Sequence, residues 1–298
     1  VRGEGPGRAS PPAPVLDRAR EVELLVAALD AGAHVLLEGP PGTGKSTLLR
    51  QVAAARHAEF VLVEGSAELT PARLVGSFDP ALVLEQGYRP ENFADGPLVR
   101  AMREGGLLYV EELNRVPEET INVLLTVMSE GEINVPRLGR VAADESFRLV
   151  AAMNPYDSVG TSRLSMALYD RTCRIAVGYQ DAEHERQIVQ LSAARAKPAL
   201  IAEAVELTRA TREHPDLRSG ASVRGAIDYA RLVPELTEVR AVPVGDWQAG
   251  LDAALTTLSG RVRRHESCQR SADQVIEEIF QRVRAAAAAE GGEPGPGE

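Results

Sequence analysis

Only two cysteines, Cys173 and Cys268, occur in the 298 residues, which excludes a disulfide-stapled secreted scaffold. No apolar run approaches the roughly 20 residues that a membrane-crossing helix needs. Aromatic residues make up 4% of the chain, and no basic, aromatic-interleaved stripe is present. Basic residues number 33 against 43 acidic ones, for a net charge of −10. Both facts argue against charge-driven binding to nucleic acid or anionic membranes. The five histidines and two cysteines show no metal-ligand spacing. His184-Glu185 lacks the second histidine of a zinc-protease motif, because Ile188 stands there. The stretch VRGEGPGRASPPAP has no apolar segment of the signal-peptide kind, and the expected setting is soluble, reducing and cytoplasmic. Lysine is nearly absent: Lys45 and Lys197 are the only two, so almost every cation is arginine. A lysine at a chemically demanding position therefore stands out.

What is present is ordinary globular composition, 44% hydrophobic and 26% charged. At roughly 150 residues per domain, the length suggests about two compact units. Residues 1–14 are Gly, Pro, Arg and Ala and read as a disordered lead. Short apolar runs at His34–Leu37, Phe60–Val63, Leu107–Val110 and Phe147–Ala152, with another at Arg174–Val177, read as buried parallel strands. Helical patterns lie between them, so residues 15–179 are expected to form an α/β core. Strand signals fade afterwards, and 180–288 read as an all-helical unit before a Gly/Pro tail at 289–298.

The strongest motif is GPPGTGKS, Gly39 to Ser46, placed after an expected strand and at the start of an expected helix. That is the context a phosphate-binding loop requires. Glycines at Gly39, Gly42 and Gly44 let backbone N–H groups turn toward phosphate oxygens without a Cβ in the way. Pro40, Pro41 and Thr43 complete the loop, and Thr47 follows in the helix, whose N-terminus favours anions. Lys45 would place its charge on the β- and γ-phosphates, and Ser46 would offer a hydroxyl to Mg²⁺. ATP and Mg²⁺ are the expected ligands.

The second signal is LLYVEE, four apolar residues followed by Glu111 and Glu112. Carboxylates at the C-terminal end of a parallel strand sit where open α/β sheets bind ligands. Glu111 would support Mg²⁺, and Glu112 would orient and deprotonate the attacking water. Aspartate is the more usual first residue of such a pair, and the extra methylene of Glu111 bears on metal geometry. Asn154 ends another strand, where it reads either as a γ-phosphate contact or as an Asn-Pro turn with Pro155.

Five pieces in order, HVLLEGPPGTGKS, GGLLYVEELNRVP, LLTVMSEGEINVP, AAMNP and ALYDR, together resemble AAA+ ATPases of the MoxR group, relatives of the magnesium-chelatase ATPase subunit. The resemblance implies an AAA+ P-loop fold: a parallel five-stranded sheet between helices, in the order 5-1-4-3-2, followed by an all-α lid. It implies that Asn154 is the sensor-1 residue and Arg224 in GASVRGA the sensor-2 residue. Arg171 in ALYDR matches the arginine finger, which serves the γ-phosphate of a neighbouring subunit. Arg163 and Arg174 are nearby basic candidates. The family usually has DRF where this chain has DRTC, so the strand after the finger departs from the pattern. Segments 74–97 and 131–146 resemble the helix-2 insert and the pre-sensor hairpin, surface loops suited to touching a client.

The expected function is Mg²⁺-dependent hydrolysis of ATP to ADP and phosphate by a ring, a hexamer by the resemblance. Such ATPases act as chaperone-like activation factors, often with a von Willebrand factor A-domain protein and a client complex. A metal-chelatase motor and a nucleotide-gated, non-hydrolysing scaffold are the competing readings.

Overall fold

The computed structural model describes residues 17–155 and 165–290. Arg163, the 1–14 lead and the chain from 291 onward lie outside the described residues. The chain divides into two compact units between Gly178 and Tyr179.

The first unit is built on five parallel strands: β1 (His34–Glu38), β2 (Phe60–Glu64), β3 (Leu107–Glu111), β4 (Arg148–Met153) and β5 (Thr172–Ala176). Their order across the sheet is β2-β3-β4-β1-β5, which matches the expected 5-1-4-3-2 arrangement. The strand after ALYDR forms despite the DRTC departure, because Ile175 is buried and its neighbours pair with β1 in register.

Side-chain alternation gives the sheet two apolar faces. Val35, Leu37, Tyr109, Val150 and Ala152 pack with Leu25 and Leu29 of α1 (Ala19–Asp30) and Leu48, Leu49 and Val52 of α2 (Lys45–Ala55). Leu36, Leu108, Val110, Leu149 and Ala151 pack with Leu98, Val99 and Met102 of α3 (Pro97–Glu104) and Ile121, Leu124 and Val127 of α4 (Glu118–Glu130). A covering of helices on both faces explains why these strands read as nearly continuous apolar runs. The short helix α5 (Met166–Asp170) leads into β5.

Two excursions leave this core. Strand 76–78 pairs antiparallel with strand 93–95 around the helix Pro80–Gln86, with the Phe78 ring 5.1 Å from both Tyr88 and Phe93. Strands 132–135 and 139–142 form a hairpin whose Arg137 guanidinium lies 4.3 Å over the Tyr88 ring.

The second unit holds α6 (Ala182–Ser192), α7 (Pro198–Glu213), α8 (Val223–Arg240), α9 (Trp247–Leu258) and α10 (Ala272–Glu290). Val189, Leu207, Tyr229, Ala254, Ile276 and Phe280 form its core. Buried Glu185 is offset by Arg209 at 3.3 Å and Arg212 at 2.7 Å. One short antiparallel pair, Leu217–Ser219 with Arg263–Arg264, is added to the helices. The last helix runs to Glu290, into the expected tail, because alanine is the best helix former.

Candidate nucleotide-binding site

The loop between β1 and α2 is shaped by its glycines. Gly42 and Gly44 have φ of +73° and +83°, a region that side chains with a Cβ rarely adopt. At Gly39 the constraint is space: a Cβ there would run into the Val177 carbonyl of the chain just after β5. The Gly39 N–H donates to Met153 O at 3.1 Å, and the Val177 N–H donates to Glu38 O at 2.7 Å. The loop therefore begins clamped between the ends of β4 and β5.

Inside the loop, buried Thr43 donates from Oγ1 to Pro40 O at 3.0 Å. Lys45 Nζ donates to Gly39 O and Pro40 O, both at 2.8 Å, which holds the ammonium over the loop. Exposed Pro41 caps the bend, and Thr47 lies in the first turn of α2. Arg18, at the mouth of α1, is only 5% exposed. It donates to Thr43 O at 3.1 Å and to Gly178 O at 2.6 Å, bracing the loop from behind.

Ser46 Oγ, in the first turn of α2, hydrogen-bonds Glu111 Oε1 at the end of β3. The fully buried Tyr109 hydroxyl lies 3.4 Å from the same Oγ. Burial pushes the Tyr109 phenol well above its ordinary pKa, so the hydroxyl stays protonated. A hydroxyl and a carboxylate side by side are hard oxygen donors, the type Mg²⁺ takes. Ser46 and Glu111 thus fit the metal expected of the fold, and the longer arm of Glu111 reaches the serine.

Glu112 follows β3 with φ of +49°, a left-handed conformation that costs a glutamate on the order of 1 kcal/mol or more. Its carboxylate is about half exposed and pairs with Arg115 at 3.0 Å. Gly65, after β2, makes room for this turn: a Cβ there would come within 2.5 Å of the Glu111 and Glu112 carbonyl oxygens. The Gly65 N–H donates to Glu111 O at 2.8 Å. Asn154 directly follows β4, and buried Asn114 donates to its carbonyl at 3.5 Å. Because β4 lies between β1 and β3, the loop, Asn154 and the two glutamates emerge from three adjacent strand ends.

Arg171, exposed at the end of α5, donates to Ser129 Oγ at 2.5 Å and to Ala167 O at 3.0 Å. Arg174 is committed elsewhere: it ion-pairs with Glu38, which also accepts from Tyr169 Oη at 2.8 Å. Arg224, exposed in the first turn of α8, belongs to the second unit. Arg18, Glu38, Gly65 and Tyr109 are the contributors that motif reading missed. Gly65 carried a faint signal, a glycine closing a strand, whereas the partners of Arg18 and Glu38 are remote in sequence.

A phosphate-type loop at the end of β1 in a β2-β3-β4-β1-β5 sheet, with acidic residues at the end of β3 on the far side of β4, defines a P-loop nucleotide-binding protein of AAA+ architecture. Residues 34–172 match the family described as AAA domain (dynein-related subfamily). The chain belongs to the AAA+ ATPases. It is 30% identical to the uncharacterized protein YeaC of Bacillus subtilis over 237 residues, 70% of this chain and 71% of that one. It is 29% identical to the gas vesicle ATPase GvpN1 of Halobacterium salinarum over 242 residues, 72% of this chain and 70% of that one. The fold is also similar to NtrX of Brucella abortus, solved in complex with ADP: the TM-score is 0.56 at 19% identity, covering 92% of this chain and 65% of that one. Among the described residues, no helix is long and apolar enough to cross a membrane.

Proposed function

We propose that the chain is a Mg²⁺-dependent ATPase, converting ATP to ADP and phosphate, that works as a ring and acts as a MoxR-type, chaperone-like activation factor for a partner protein. The resemblance makes the ring a hexamer. It makes the partner a von Willebrand factor A-domain protein together with a client complex. The carrying observation is the Ser46–Glu111 contact beside the Lys45 loop, which gathers phosphate-binding and metal-holding groups at one point. The name of GvpN1 and the ADP complex of NtrX support the nucleotide reading. A cytoplasmic setting suits two unpaired cysteines.

Each residue then has a role. The loop N–H groups from Gly39 to Ser46, with the Lys45 ammonium, hold the β- and γ-phosphates in line for attack. Mg²⁺ held by Ser46 and Glu111 would neutralise charge that develops on the phosphate oxygens. Glu112 takes a proton from the attacking water, for which its carboxylate leaves Arg115. Asn154 contacts the γ-phosphate or that water. Arg224 senses the γ-phosphate from the helical lid, residues 180–288, while a neighbour's Arg171 stabilises the transition state.

Glu111, in place of the usual aspartate, raised the alternative of a scaffold that binds ATP without hydrolysing it. Its reach to Ser46 favours the hydrolytic reading. Phosphate release by the purified chain, with and without Mg²⁺, tests the proposal. Hydrolysis that needs Mg²⁺ and drops about 100-fold or more in Glu112→Gln is the expected result. No release above the Glu112→Gln background at any Mg²⁺ concentration would leave the scaffold reading standing instead. The same variant, locked with ATP, is the bait for identifying the client.

A further inference from the structure

Glu38 is a carboxylate where packing calls for an apolar side chain. The three residues before it, Val35, Leu36 and Leu37, are fully buried, and Glu38 itself is 5% exposed. A buried charge is costly unless paired and hydrogen-bonded. Both oxygens of Glu38 are engaged: Oε1 accepts from Tyr169 Oη at 2.8 Å, and Oε2 pairs with Arg174. These two partners bracket Arg171, two residues after Tyr169 and three before Arg174. On its other side, Glu38 is bonded directly to Gly39, where the phosphate loop begins, and its carbonyl accepts from Val177 N–H at 2.7 Å. One carboxylate thus joins the start of the phosphate loop to both flanks of the segment that presents Arg171.

We propose that Glu38 is a positioning residue, whose contacts with Tyr169 and Arg174 set where Arg171 is presented to the neighbouring subunit and link that placement to the phosphate loop. The proposal rests on the reading of Arg171 as a finger acting in trans. The side chain of Arg171 donates to Ser129 Oγ and to the Ala167 carbonyl, both close to the surface. Its aim therefore depends on the backbone between Tyr169 and Arg174, which the carboxylate pins at two points. A displacement of about 1 Å in a catalytic group is enough to cost on the order of 100-fold in rate.

A buried pair kept only for stability would show none of this in trans, and mixed rings separate the two roles. Glu38→Gln alone should bind ATP within about threefold of wild type yet turn over roughly 10–100-fold more slowly. Mixed with Glu112→Gln, which has a dead site and an intact finger, Glu38→Gln should regain activity above either variant. Mixed with Arg171→Ala, it should regain none, because neither subunit then presents a working finger. Rescue by Arg171→Ala rather than by Glu112→Gln would place the defect in the Glu38 subunit's own site and overturn the proposal, as would rescue by neither or a fully active Glu38→Gln. Arg174→Leu breaks the same contact from its exposed end and should give the same mixing pattern if Glu38→Gln fails to fold. Arg171→Ala with Glu112→Gln is the control. Recovery there with the wrong Glu38 pattern sinks this proposal alone; no recovery there sinks the trans reading of Arg171, and the proposal with it.

Discussion

Ser46 Oγ hydrogen-bonds Glu111 Oε1, joining the first turn of α2 to the end of β3 across 65 positions of sequence. The contact brings a hydroxyl and a carboxylate together with no apolar atom between them. Glu111→Gln keeps the shape and removes the charge. It should raise the Mg²⁺ concentration needed for half-maximal ATP binding by about 10–100-fold, the usual range when a metal site loses an oriented ligand or its partner. Affinity for ATP in EDTA should change little. The check is nucleotide titration across Mg²⁺ concentrations; an unchanged requirement would remove Glu111 from the metal site.

Lys45 donates to two loop carbonyls, Gly39 O and Pro40 O, so its ammonium is already aimed across the loop. Lys45→Ala removes a charge-assisted contact to phosphate worth on the order of 1.5–3 kcal/mol. ATP affinity should fall roughly 10–100-fold while the fold persists, because the side chain is only partly buried. Calorimetric titration of the variant checks this, and wild-type affinity would count against the phosphate-loop assignment.

Much of the fold was legible because its signals are local. GPPGTGKS carries its own turn, cation and hydroxyl within eight consecutive residues, and LLYVEE carries strand and carboxylates together. The apolar runs marked the five strands, since helices cover both faces. The support of the site was not legible for the opposite reason. Glu38 meets Tyr169 across 131 positions and Arg18 meets Gly178 across 160, and no period or spacing encodes such pairs. Tyr109 read simply as one apolar residue of a buried strand, although its hydroxyl faces Ser46. The pairing of Arg174 with Glu38 was equally hidden, and it sets Arg174 apart from Arg171 as a candidate finger.

Gly65 carries a prediction of its own. Its N–H holds the Glu111 carbonyl, and a Cβ would press on the carbonyls of both Glu111 and Glu112 at 2.5 Å. These are backbone atoms, so no side-chain rotation relieves the clash. Gly65→Ala should shift the β3 end and slow phosphate release by about tenfold or more, with ATP affinity less affected because the phosphate loop lies on β1. Wild-type turnover in Gly65→Ala would show that the turn at Glu112 needs no such space.

His34 makes the stability of the first unit depend on pH. It opens β1, and its Nδ1 accepts the Leu149 N–H at 2.9 Å, which requires an unprotonated Nδ1. Burial, reinforced by the Arg148 cation, lowers its pKa to about 4 from an ordinary 6.5. Above pH 6.5 the imidazole is neutral in both folded and unfolded chains, and its contribution to stability is fully present. As pH falls from about 6.5 toward 4, the unfolded chain takes up a proton that the folded one refuses, so stability declines. Below about 4 both states are protonated, and His34 adds no further loss. Urea midpoints by circular dichroism should therefore fall across this window. His34→Asn offers an acceptor near the Nδ1 position without a titrating ring, so its midpoints should fall less steeply. Trp247, the single tryptophan, lies in the second unit, and its fluorescence supplies a reference transition in the same samples. Equal slopes for wild type and His34→Asn would assign the acid sensitivity to other groups.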